Sequence, residues 1–159
     1  MKKFKALYES SMWNYIYKKN KGIFYRGVGR GGKGTSVGHL GAGIYLSWDR
    51  GMASAFAKRQ GAGGEVKGYK IKRNVKIVDA GGMTDGDKDW IDAKAEMGFS
   101  PKQHAGHDKM FANMLSSILK DKGYDGAVSD DVATGIVIFD KKNVKEVKVW
   151  LHLENYLKS

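Results

Sequence analysis

Gly41-Ala42-Gly43-Ile44-Tyr45-Leu46-Ser47-Trp48 is the stretch on which the reading of this chain turns. Residues 29–41 before it hold six glycines and read as a mobile loop. Ala42 to Ser47 then reads as a short strand. Asp49 suits a helix N-cap, and Met52, Ala53, Phe56 and Ala57 recur at helical spacing over residues 50–59. About twenty residues upstream, Ile23-Phe24-Tyr25-Arg26-Gly27-Val28 has the β-branched and aromatic content of a strand. Arg26 stands out there because its same-face neighbours, Phe24 and Val28, are apolar. Burying its charge is costly unless an anion meets it, and its planar fork of donors suits a carboxylate or a phosphate. Gly27 would let a ligand approach the backbone.

Residues 4–18 read as an amphipathic helix ended by Asn20-Lys21-Gly22. Residues 65–74 alternate weakly as a strand that Val75 to Val78 continues. Residues 81–104 form a Gly- and Asp-rich excursion with a short helical piece from Trp90 to Met97. His107 to Lys122 carries Met110, Phe111, Met114, Leu115, Ile118 and Leu119 on one stripe, and Gly123 stops it. Tyr124 to Ser129, Ile136 to Phe139 and Val144 to Trp150 are further strands, and the last nine residues suit a short helix. The order lacks strict βαβ alternation, which argues against a doubly wound parallel sheet. It fits an α+β class: two packed β-sheets flanked by helices, in a single domain over residues 1–159, with no linker or internal repeat.

The chain has 159 residues, 42% hydrophobic, enough for one domain with a real core. With no cysteine, disulfides and thiolate chemistry are excluded. The basic start has no apolar run behind it, and no stretch approaches a membrane span, so the expected setting is soluble and cytoplasmic. Of the net charge of +11, residues 1–33 supply +8 and residues 141–159 supply +3, while the middle is neutral. Such ends suit an acidic partner or a nucleic acid, or simply a solvated surface. They lack the aromatic-plus-basic spacing of a known RNA-binding motif.

Tyr25-Arg26-Gly27, the glycine-rich approach to Gly43-Ile44-Tyr45-Leu46-Ser47, and a helix containing Ala53, Ala55, Phe56 and Ala57 together resemble the ADP-ribosyltransferase superfamily. Tyr25-Arg26-Gly27 and Ser47 are similar to its Arg-Ser-Glu branch, and Gly43-Ile44-Tyr45 to its His-Tyr-Glu branch. Lys122-Gly123-Tyr124-Asp125-Gly126-Ala127-Val128, Ile136-Val137-Ile138-Phe139-Asp140 and Val144-Lys145 resemble the ending of small phage and mobile-element members. The resemblance spans roughly residues 22–146. It implies an NAD cleft between the sheets and mono-ADP-ribosyl transfer to a macromolecular acceptor, protein or nucleic acid. It further implies that Arg26 holds the pyrophosphate or ribose, Tyr45 stacks on the nicotinamide, and Ser47 positions Arg26 or the ribose. Gly27 would grip the carboxamide through its backbone. Tyr25, His39, Gly43 and Phe56 complete the implied NAD-binding set, and no metal is required.

One departure stands out. The superfamily's catalytic Glu aligns with Gly135, or with Thr134 if the register slips, and neither is a carboxylate. Asp131 is the candidate replacement, and Asp130-Asp131 also reads as plain turn chemistry. If neither serves, the alternative is a degenerate member that binds without transfer, or a basic nucleic-acid-binding protein. His39 also reads as a loop surface residue. His104 and His107 lack the further ligands a metal needs. Gly29-Arg30-Gly31-Gly32-Lys33-Gly34-Thr35 misses the phosphate-loop spacing because Gly34 follows Lys33. Trp13, Trp90 and Trp150 read as core, and Trp48 abuts the proposed site.

Overall fold

A computed structural model describes residues 11–29, 34–59, 64–103, 108–130 and 135–148. The elements are α1 (Ser11–Lys19), β1 (Ile23–Val28), β2 (Val37–Gly38), β3 (Gly41–Ala42), β4 (Ile44–Leu46), α2 (Arg50–Arg59), β5 (Glu65–Ile71) and β6 (Ile77–Asp79). They continue as α3 (Lys88–Glu96), α4 (Lys109–Asp121), β7 (Gly126–Val128), β8 (Ile136–Ile138), a 3-10 turn (Lys141–Asn143) and β9 (Val144–Val147). The class is α+β. One sheet runs β1-β5-β9, all antiparallel; the other runs β4-β8-β7-β6, with β6 and β7 parallel; β2 and β3 form a small hairpin.

Strand alternation builds two cores on opposite faces of the four-stranded sheet. Leu46, Ile77, Val128, Ile136 and Ile138 point to one side, where Phe24 and Ile71 of the other sheet and Trp13 and Ile16 of α1 meet them. Tyr45, Val78, Ala127 and Val137 point to the other side, against Trp90 and Ala93 of α3 and Leu115 and Leu119 of α4. Helix α1 is held by its aromatic edge: Trp13 stacks on Phe24 at 5.5 Å, and the Tyr17 hydroxyl donates to the Ile71 carbonyl at 2.9 Å. Its end is a tight reversal, with Lys21 and Gly22 at positive φ and Gly22 N–H donating to Tyr17 O at 2.9 Å. Helix α4 starts at Asp108, whose side chain accepts from the N–H groups of Met110 and Phe111.

Several expectations are corrected. Residues 34–41 are not an open loop, because Val37–Gly38 pairs with Gly41–Ala42. Val75 to Val78 does not continue the preceding strand: the chain turns at Arg73-Asn74 and β6 joins the other sheet. The α4 stripe is narrower than its apolar residues suggest. Leu115 and Leu119 are buried, while Met110 is 63% and Met114 46% exposed. Residues 4–10 of the first expected helix, Trp150 and the final nine residues lie outside the described residues. Among the described residues no helix is long and apolar enough to cross a membrane.

Lys94 on α3 is a cation in this second core, 1% exposed. Its Nζ lies over the rings of Trp90 and Phe99 at 5.5 and 5.4 Å and donates to the Gln103 carbonyl. Burial lowers its pKa from the ordinary lysine value. The folded chain therefore gives up this proton at a lower pH than the unfolded chain. Lys94 thus makes stability rise with pH between the lowered folded value and the ordinary unfolded one. Lys94→Met keeps the volume and removes the desolvated charge, so its melting temperature should equal or exceed that of the wild type at pH 7. Lys94→Ala leaves a cavity and should melt lower. A Met variant that melts as low as the Ala variant would show that the ammonium itself holds this core together.

Candidate functional site

Among the described residues one isolated backbone bridge links the two large sheets. Tyr25 N–H donates to Ser47 O at 2.8 Å, and Ser47 N–H donates to Tyr25 O at 2.7 Å. Continued antiparallel pairing would next bring Gly27 opposite Tyr45. It does not continue. The Tyr45 carbonyl instead accepts from Arg26 Nη1 at 3.1 Å, and the same nitrogen donates to the Thr35 carbonyl at 2.8 Å. The guanidinium thus occupies the place where the two strands part. Because backbone polar groups alternate in direction along a strand, the N–H and C=O of Gly27 point the same way as those of Tyr25, away from β5 and into this parting.

Arg26 is half-buried, and among the described residues no carboxylate lies within ion-pair distance of it. Burial lowers its pKa, opposed by the neighbouring Tyr69. An arginine remains a cation at neutral pH despite such a shift. Two neutral carbonyls orient the fork, whose planar set of donors is of a kind that suits a carboxylate or a phosphate. Gly34 closes over the guanidinium: a Cβ there would lie 2.8 Å from Nε.

The other expected residues divide. Tyr25, on β1, is half-buried near Arg50 at the start of α2; burial raises its phenol pKa and the charge of Arg50 opposes the rise. Gly27 makes room for the protein rather than for a ligand on its side-chain face. A Cβ there would lie 2.1 Å from Ala53 O and 2.7 Å from Ala57 N, so α2 seats directly on the strand with Phe56 beside it. Gly43 likewise serves packing, since its Cβ would meet Ile138 O of β8 at 2.4 Å. Tyr45 is 6% exposed within the core. Its hydroxyl donates to Gly41 O at 2.6 Å and accepts from Leu40 N–H at 3.1 Å, and burial raises its pKa far above the ordinary phenol value. The Ser47 Oγ does not reach Arg26: it donates to Asp49 O and accepts from Asp49 N–H, both at 3.0 Å, and shapes the entry to α2.

His39 faces elsewhere, into a pocket of about 90 Å³ that it lines with Trp90, Lys94 and Ser129. Asp131, His104 and His107 lie outside the described residues. Asp130 accepts from Met83 N–H at 3.1 Å. Burial chiefly raises the pKa of nearby Asp79; a hydrogen bond from Gly81 opposes this and the charge of Asp130 adds to it. Asp130 is thus engaged in turn contacts. Among the described residues no group of three His, Asp or Glu side chains is placed to hold a metal.

Gly135, the position that the resemblance pairs with a Glu, immediately precedes β8. Extending the β4–β8 register by one residue sets Gly135 opposite Ser47, so Tyr25, Ser47 and Gly135 line up across three neighbouring strands. The space around Gly135 is filled. Gly135 has φ +51°, and a Cβ on it would lie 3.2 Å from the Trp48 ring and 3.0 Å from Leu46 O. The sequence reading missed the carbonyls of Thr35 and Tyr45, which hold Arg26. Backbone acceptors carry no residue signal; the glycines around Thr35 were the available hint.

Tyr45→Phe should lower stability by roughly 1–3 kcal/mol, because it strands a buried Leu40 N–H and Gly41 C=O. Gly27→Ala should destabilise by at least a comparable amount by pushing α2 off β1. Chemical denaturation would check both; an unchanged midpoint in either variant would contradict the packing described. Comparison of the chain with models of protein families, with curated proteins and with solved structures gives no match, so the chemistry of the site is argued from its own residues.

Proposed function

We propose that the chain is a mono-ADP-ribosyltransferase that moves ADP-ribose from NAD to a macromolecular acceptor, with release of nicotinamide. The observation that carries this reading is the half-buried Arg26 guanidinium, held by the Thr35 and Tyr45 carbonyls and facing no carboxylate among the described residues. A pyrophosphate would meet that charge in the geometry the planar fork prefers. The Gly27 N–H and C=O point toward β4 where the two strands separate, with Gly34 packed close to the oxygen; a carboxamide, which carries one acceptor and one donor group, is the kind of partner they suit. A carboxamide and a pyrophosphate are the groups that flank the nicotinamide riboside of NAD, whose anomeric carbon is the reacting atom.

The reaction is a displacement. The acceptor's nucleophilic atom bonds to the anomeric carbon, the bond to nicotinamide breaks with its electron pair returning to the ring nitrogen, and the acceptor loses a proton. The oxocarbenium-like state resembles that of glycoside cleavage. Arg26 orients the donor by gripping its anionic part, and a nearby carboxylate would stabilise the developing positive charge. Asp131 is the residue assigned to that role. Tyr45 now supports the site from the core through its carbonyl and its loop bonds, and the stacking role on nicotinamide rests on resemblance alone.

A second reading has its own observation. With Trp48 packed over Gly135, no side chain occupies the aligned catalytic position. A protein of this construction that lacks a working Asp131 would bind NAD without transferring ADP-ribose.

Purified protein incubated with labelled NAD and a whole-cell lysate should give a discrete labelled product. Its loss on protease or on nuclease treatment identifies the acceptor class. Arg26→Ala should lower labelling at least 100-fold with the fold retained, and full activity in that variant would refute the site. Unchanged turnover in Asp131→Ala would remove Asp131 from the mechanism. NAD binding without any label in the wild type would favour the second reading.

A further inference from the structure

A groove of about 330 Å³ on the far side of α1 is lined by Trp13, Asn14, Tyr17, Lys18, Lys21, Lys70 and Arg73. Four of these are cations and none is acidic. Lys18, Lys21, Lys70 and Arg73 are all exposed, and they come from two separate elements that the fold brings together. Lys70 is fixed as well as exposed: its Nζ donates to Lys21 O at 2.6 Å and lies 5.7 Å from the Tyr17 ring centroid. The basic surface extends beyond the groove, because Lys72 N–H donates to Asn143 O at 3.0 Å and so sets Lys141 and Lys142 beside the Arg73 end. Concentrating four like charges in one groove raises repulsion, which a polyanion relieves.

The aromatic residues of the groove narrow the choice of polyanion. Single strands are bound by stacking bases on exposed rings. Trp13 is 5% exposed and stacked on Phe24, and Tyr17 is tied to Ile71 O through its hydroxyl. The exposed Tyr15 ring of the same helix faces a different hollow, with Trp48. The groove therefore offers charge without a stacking platform. That matches a duplex, whose bases are already stacked and whose backbone presents one negative charge per roughly 1.7 Å of axis. Three of the four cations are lysines, which meet phosphates as point charges without reading sequence.

We propose that this groove binds the phosphodiester backbone of a nucleic-acid duplex, without sequence preference. The proposal stands apart from the NAD site, which shares none of these residues, so either can fail alone.

The test is fluorescence anisotropy of the full chain with labelled 20-bp DNA and RNA duplexes over a range of salt concentrations. Four backbone contacts predict that log K falls with log salt at a slope of about −3.6 or steeper. Lys18→Ala with Arg73→Ala should weaken binding about ten-fold at low salt and make the slope shallower by about 1.8. Lys67→Ala with Lys102→Ala removes the same charge elsewhere and should change binding less than two-fold. Equal weakening by the two double variants would overturn the groove. Tighter binding of a single strand than of a duplex would overturn the choice of ligand. Polyglutamate competing as well as duplex, charge for charge, would point to an acidic protein and overturn it too.

Discussion

The site depends on the replacement of a backbone bond by a side chain. After the Tyr25–Ser47 bridge, β1 and β4 stop pairing, and the Tyr45 carbonyl takes its hydrogen bond from Arg26. Among the described residues the backbones of the two sheets therefore pair only at this bridge, while their faces pack together through Phe24, Ile71 and the strand residues opposite them. The exchange also draws a cation inward, beneath Gly34, which packs close to both the guanidinium and the Gly27 oxygen. The surrounding glycines serve the same end. Gly27 admits α2 onto the strand, and Gly34 admits the loop onto the guanidinium.

The two cores explain why this junction holds its shape. Val137 and Tyr45 of the four-stranded sheet face α3 and α4, while their sequence neighbours Ile136, Ile138 and Leu46 face the other sheet and α1. A strand buried on both sides cannot slip by one residue without exchanging its two faces. The register that sets Tyr25, Ser47 and Gly135 across neighbouring strands is therefore fixed by packing on both sides, independently of any ligand.

Much of this was legible in the sequence, for identifiable reasons. Strand β1 and helix α2 fall where their residue patterns put them, since Phe24 and Val28 alternate cleanly and Ala53 and Ala57 repeat on one helix face. The inward turn of Arg26 followed from its apolar same-face neighbours. What was not legible depended on distant partners. Gly43 looks like a ligand glycine until β8 lies against it, and Ser47 looks like a site hydroxyl until Asp49 takes it. Tyr45 sits in a motif that suggests stacking, yet its ring belongs to the core formed with helices more than forty residues away. Trp48 over Gly135 is a tertiary contact that no local spacing announces.

The proposed function has Arg26 grip a pyrophosphate, and a thermal-shift titration tests this without requiring turnover. Ligand that binds only the folded chain raises the melting temperature in proportion to RT ln(1 + [L]/Kd). NAD and ADP-ribose should both raise the melting temperature of the wild type, adenosine should raise it far less, and Arg26→Ala should abolish the difference between them. Equal stabilisation of the wild type and Arg26→Ala by NAD, or none of the wild type at millimolar NAD, would contradict the account.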